Sequence, residues 1–79
     1  GDRMDVRTVI GGNVKRLRLA SGLTQEQLAD RCDFDQRYIS QLERGQRNPT
    51  VLSLHEIAQA LGTTAVVLLT PIEDAAAEG

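Results

Sequence analysis

The sequence predicts an all-α fold of five helices, and three observations carry that prediction. Apolar residues recur at helical spacing, most clearly at Leu54, Ile57, Ala58 and Leu61. Capping residues precede the periodic stretches at Thr24, Asp35 and Thr50, and Gly22, Gly45 and Gly62 follow them. Trp is absent, and Phe34 and Tyr38 are the only aromatics, so the core must be aliphatic. A chain of 79 residues allows one small domain with a modest core. That domain is assigned to residues 1–71, with its core at about 8–69, and residues 72–79 read as an acidic flexible tail.

The first helix runs from Val6 or Thr8 to Ala20, where Ser21-Gly22 ends it. Val6, Val9 or Ile10, Val14 and Leu17 supply its buried stripe. Gly11-Gly12 lies inside it, and each Gly costs about 1 kcal/mol relative to Ala, so the helix is expected to be firm only after Gly12, with the preceding turn held by packing. Lys15, Arg16 and Arg18 form a basic cluster toward its end.

The second helix opens at Thr24. Gln27 lies three residues on and completes a capping box, and Leu23 and Leu28 can form a hydrophobic staple. Leu28, Ala29 and Cys32 share one face, so Cys32 reads as a small core residue. The pattern breaks at Asp33-Phe34 and restarts with Asp35 as a second cap, followed by Ile39 and Leu42. Arg44 closes this third helix, and Gly45 stands where a left-handed residue is wanted. Residues Gly45-Gln46-Arg47-Asn48-Pro49 form a loop. Thr50 caps a fourth helix running to Leu61, with His55 on its surface. Ala65 to Leu69 is a short apolar run whose periodicity does not separate helix from strand; Thr63 or Thr64 as a cap and the all-helical context favour a fifth helix, ended by Pro71.

The charge distribution narrows the function. All nine Lys and Arg precede residue 50 against seven acids, giving +2, whereas four acids and no Lys or Arg follow, giving −4. One side of such a molecule is suited to an anion. Cys32 is the only cysteine, which excludes an internal disulfide or a cysteine-based metal cluster. No glycine-rich phosphate loop, metal-ligand spacing or nucleophile–base pair is visible, so neither an enzyme, a metal nor a cofactor is expected. No apolar run is long enough to span a membrane, and a reducing, cytoplasmic setting is the simplest reading.

The third helix carries the chemistry. Its outer face presents Gln36, Arg37, Ser40, Gln41 and Arg44, donors and acceptors with no acid among them. Arg pairs with guanine edges and Gln with adenine edges in the major groove of DNA. The stretch from Thr24 to Arg44 resembles the helix-turn-helix of the phage-repressor and Cro-like (XRE) family, with Gln25, Ala29, Ile39 and Leu42 at the family's spacing. The resemblance extends through Lys15-Arg16-Leu17-Arg18, through Glu43-Arg44-Gly45-Gln46-Arg47-Asn48-Pro49 and on to Leu61-Gly62, covering roughly residues 10 to 69. It departs at Asp33, where the family usually has Gly; Asp tolerates positive φ better than most residues.

The resemblance implies a five-helix, repressor-like DNA-binding domain whose helix-turn-helix is helices two and three. Gln36, Arg37, Ser40 and Gln41 are then the expected base readers, with a phosphate contact the other role open to Ser40. Phosphate contacts are expected from Gln25, Arg44, Gln46, Arg47 and Asn48, and from Tyr38 through its hydroxyl. Arg18 and Glu43 are implied to form a partly buried ion pair, with a phosphate contact the competing role for Arg18. Val66, Val67, Leu68 and Leu69 exceed what one face of a short helix needs; part of the run can cap the core and the rest can form a dimer contact. The expected function is a sequence-specific transcriptional regulator that binds double-stranded DNA as a homodimer on an inverted-repeat operator. A phage-type repressor, a restriction–modification controller and an antitoxin all fit that class. The alternative is a protein-interaction module that docks a protein partner with the same fold; the polar helix face speaks against it.

Overall fold

The computed structural model describes residues 5–72, and of the tail expected at 72–79 all but Ile72 lies outside them. Five helices follow in order: α1 (Val6–Ala20), α2 (Gln25–Cys32), α3 (Gln36–Glu43), α4 (Val51–Ala60) and α5 (Ala65–Leu69). Among the described residues there is no strand.

Local chemistry sets the boundaries. Asp5 opens α1 by accepting from the Arg7 amide at 2.9 Å. Thr24 opens α2 with a full capping box: its Oγ1 accepts from the Gln27 amide at 3.0 Å, and Gln27 Oε1 accepts from the Thr24 amide at 2.9 Å. Asp35, Thr50 and Thr64 cap α3, α4 and α5 in the same sense. Gly45 closes α3 at φ 76°, where its amide donates to the Leu42 carbonyl at 3.0 Å and the Gln46 amide to the Gln41 carbonyl at 2.9 Å. Asp33 holds a left-handed φ of 63° between α2 and α3, so the departure from Gly is accommodated.

α1 packs against α3 and α5, α2 against α3 and α4, and α4 against α5. Each helix sends at least one side chain into a single core, where Val14, Leu28, Ile39, Leu42, Ile57 and Leu68 are fully buried. Each such aliphatic side chain contributes about 1.5–3 kcal/mol. Helices of eight and five residues are not stable alone, so this shared core is what keeps α2, α3 and α5 helical.

Three expectations are corrected. α1 is continuous from Val6 and not broken at Gly11-Gly12. Gly11 is buried against the end of α3: a Cβ there would stand against the Leu42 carbonyl oxygen and 2.8 Å from that of Glu43. Its missing side chain is therefore the condition for α1 to touch α3. Val6 is 52% exposed, because it lies at the outer end of α1 beyond the body it packs on. Leu68 is fully buried and belongs to the core, so its side chain is withdrawn from the dimer contact expected of the 66–69 run.

Asn13 was not singled out in the sequence. It is 3% exposed, and its Nδ2 donates to the carbonyls of Val67, Leu68 and Thr70 at 3.3, 2.9 and 2.9 Å. These bonds satisfy the carbonyls of Leu68 and Thr70 at the end of α5, while that of Val67 also accepts from the Thr70 amide at 3.2 Å.

Candidate nucleic-acid interface

The candidate site is the outward side of α3 together with the loop after it. α3 buries Ile39 and Leu42 three residues apart, which turns Gln36, Arg37, Ser40 and Gln41 away from the core. Gln36 and Arg37 are exposed; Ser40 and Gln41 are half-buried.

The far end of α3 is gripped by its neighbours. Arg18 Nε donates to Glu43 Oε2 at 2.6 Å and its Nη2 to Glu43 Oε1 at 3.1 Å, a two-point charge-assisted pair. Arg18 Nη1 donates to the Leu23 carbonyl at 2.8 Å. The two side chains are 9% and 3% exposed. Arg18 thus faces inward, away from Lys15 and Arg16, and the basic cluster read along α1 is not one surface. Arg16 turns instead to Asn13 Oδ1 at 3.3 Å.

Gln25 links this pair to the outer face. Its Nε2 donates to Glu43 Oε1 at 3.0 Å, and its Oε1 accepts from Gln36 Nε2 at 3.4 Å. Both functional groups of Gln25 are therefore engaged within the protein. Arg44 folds back on α3, donating from Nη2 to Ser40 Oγ at 2.8 Å. Gln46, Arg47 and Asn48 are exposed in the loop.

Tyr38 lies between α3 and that loop. Its ring stacks on Phe34 with centroids 4.9 Å apart, and the Arg47 guanidinium lies over it, 4.9 Å from the centroid. Burial pushes the phenol up, while the Arg47 charge and the neighbouring Ser53 hydroxyl pull it down. Asp35, Arg37, Tyr38, Gln41 and Arg47 line a hollow of about 250 Å³ on this surface.

Other chemistry is thin. Cys32 is 7% exposed, its Sγ lies 3.1 Å from the Leu28 carbonyl, and burial pushes its thiol up, away from the reactive thiolate. His55 is exposed on α4. Among the described residues no cluster of His, Cys, Asp or Glu has the arrangement of a metal site, and no helix is long and apolar enough to cross a membrane.

The chain matches known proteins over this whole region. Residues 14–68 match the HTH_3 helix-turn-helix family model. An HTH-type transcriptional regulator of Sinorhizobium fredii is 54% identical over 71 residues, covering 90% of this chain and 92% of that protein. The crystal structure of a hypothetical transcription factor from Neisseria superposes with a TM-score of 0.91 at 33% identity, covering 100% of this chain and 91% of that one. The restriction–modification controller protein C.AhdI of Aeromonas hydrophila gives a TM-score of 0.75 at 35% identity, covering 78% and 94%. With an acid-free outer face on α3, anchored from behind by a buried ion pair, the chain belongs to the HTH_3 helix-turn-helix family and is a DNA-binding transcriptional regulator.

Proposed function

We propose that the protein binds an inverted-repeat operator as a homodimer, with α3 of each copy in the major groove. The observation that carries this reading is the outer face of α3. Gln36, Arg37, Ser40 and Gln41 point away from the core, while the one acid of the helix, Glu43, is turned inward and held by Arg18. Gln36, Arg37, Ser40 and Gln41 are the base readers; Arg44, Gln46, Arg47 and Asn48 reach phosphates, and so set register. Gln25 and Tyr38 complete the phosphate set, Gln25 by exchanging an internal hydrogen bond for one to DNA.

One α3 reads only a few base pairs, so specificity calls for a second copy about 34 Å away on the next major groove. Val66, Val67 and Leu69 are 71%, 39% and 43% exposed on α5, and they supply the apolar surface for that copy. Occupancy of the operator then blocks or assists polymerase, in the cytoplasm where the DNA lies.

Selection of bound duplexes from a random pool at near-physiological salt tests this. Half-sites about 10 base pairs apart in inverted order are expected, and sedimentation of the bound protein as a dimer. A monomer on DNA would refute the dimer, and failure to enrich any sequence would shift weight to a protein-docking role.

A further inference from the structure

We propose that Arg47 sets which base Gln41 reads, and that the ring of Tyr38 holds Arg47 in place to do so. This rests on the reading of α3 as the base-reading helix. Arg47 Nη1 donates to Gln41 Oε1 at 3.5 Å while its guanidinium lies over the Tyr38 ring. The ring is itself fixed from α2's side by stacking on Phe34. Arg47 is exposed in a loop, and these two contacts are the ones that give its long side chain a fixed direction.

The consequence falls on Gln41. A free glutamine amide offers an acceptor and two donors, and adenine's two-point edge needs both kinds at once. With the guanidinium beside it, the carbonyl oxygen of Gln41 is drawn to Arg47, and the reversed amide would set an NH2 group against a cation. Gln41 is left presenting N–H donors. The base edge that offers two acceptors and no donor is that of guanine, with N7 and O6. Gln41 in this protein therefore selects guanine, against the adenine preference of an unconstrained glutamine. Arg47 acts as a positioning residue for Gln41, and it is the ring of Tyr38 that serves this choice of base, its hydroxyl being left for phosphate.

The test is selection from a random duplex pool with wild type, Gln41→Ala, Arg47→Ala, Tyr38→Phe and Tyr38→Leu. Gln41→Ala identifies its base position as the one whose preference flattens. Wild type is expected to prefer guanine there. Arg47→Ala is expected to shift that position toward adenine by roughly fivefold or more, the low end of what a two-point contact discriminates. Tyr38→Leu should reproduce the shift and Tyr38→Phe should not. Thermal unfolding of each variant checks folding, and Arg47→Ala, an exposed loop change, carries the test if Tyr38→Leu fails to fold. Adenine at that position in wild type, no change of preference there in Arg47→Ala whatever the overall loss of affinity, a shift in Tyr38→Phe, or no position flattened by Gln41→Ala would each overturn the inference. Enrichment of no sequence by wild type would overturn the operator reading itself, and the inference with it.

Discussion

Gly11→Ala should destabilise the domain, whereas Gly12→Ala, one residue on in the same helix, should stabilise it. On helix propensity alone both changes gain about 0.8–1.0 kcal/mol. The surroundings separate them. A Cβ at Gly12 meets nothing within 4 Å, so the full gain is realised. A Cβ at Gly11 meets the backbone carbonyls that end α3, 2.8 Å from the Glu43 oxygen where ordinary contact begins at 3.4 Å. The neighbours are backbone and have no rotamer to escape into, so α1 and α3 must part by at least about 0.6 Å, the gap between those two distances. Overpacking of this kind costs about 1–3 kcal/mol. The separation also pulls Glu43 from Arg18, so the upper half of that range is expected, and a net loss of about 1–2 kcal/mol remains. For a domain of this size 1 kcal/mol moves Tm by about 4–8 °C. Thermal unfolding followed by far-ultraviolet circular dichroism should show Gly11→Ala melting about 5–15 °C below wild type and Gly12→Ala about 4–8 °C above it. A Gly11→Ala variant that melts at or above wild type would refute the close approach of α1 to α3.

Replacing Arg18 by Met leaves the Glu43 carboxylate buried without its partner and should cost about 3–5 kcal/mol in denaturant unfolding; the Arg18→Met/Glu43→Leu double variant should cost less than that single change, since no lone charge remains. Arg44→Ala should weaken binding evenly across operator variants and lower the salt dependence by about one counterion, whereas Arg37→Ala should relax the base choice at one position; titrations at three salt concentrations separate the two. Burial holds the Cys32 thiol protonated above its ordinary value of 9.0. Its stabilisation is present below that value and fades as pH rises toward the raised folded value. Unfolding midpoints should therefore fall more steeply above pH 9.0 in wild type than in Cys32→Ala, and native Cys32 should alkylate slowly.

Features fixed by neighbours in the chain were legible in the sequence. Thr24 with Gln27, Asp35 and Thr50 announce helix starts because a cap is made within three residues, and Gly45 announces a stop for the same reason. The two inward positions of α3, Ile39 and Leu42, fix its outer face by geometry alone. Features fixed by distant partners were not legible. Gly11 reads as a weak point in a helix because propensity does not register the carbonyls of Leu42 and Glu43 pressed against it. Asn13 looks like an interruption of an apolar stripe, since its three carbonyl partners lie 54 to 57 residues away. In the run 65–69 every residue is apolar, so no periodicity marks Leu68 as the inward one; only the packing of α5 on α1 and α4 does. Arg47 and Tyr38 both read as phosphate contacts, and it is the loop after α3 that stacks one on the other.

The arrangement behind α3 has an electrostatic result as well as a mechanical one. Glu43 sits at the C-terminal end of the helix, where the helix dipole disfavours an acid, and it is the only acid within α3. Left outward, it would set a negative charge beside Arg44 and Arg47, the phosphate contacts proposed above. Arg18 engages both of its carboxylate oxygens from α1 and Gln25 adds a third bond from α2, so the charge is neutralised inside the domain. The same three contacts, with Gly11 against the Leu42 and Glu43 carbonyls, hold α3 by its far end. Gln36 and Arg37 at the near end stay free of the core and reach outward. An eight-residue helix has little rigidity of its own. Here two neighbouring helices supply it, and the residue that anchors the helix is the one whose charge is withdrawn from the outer face proposed to meet DNA.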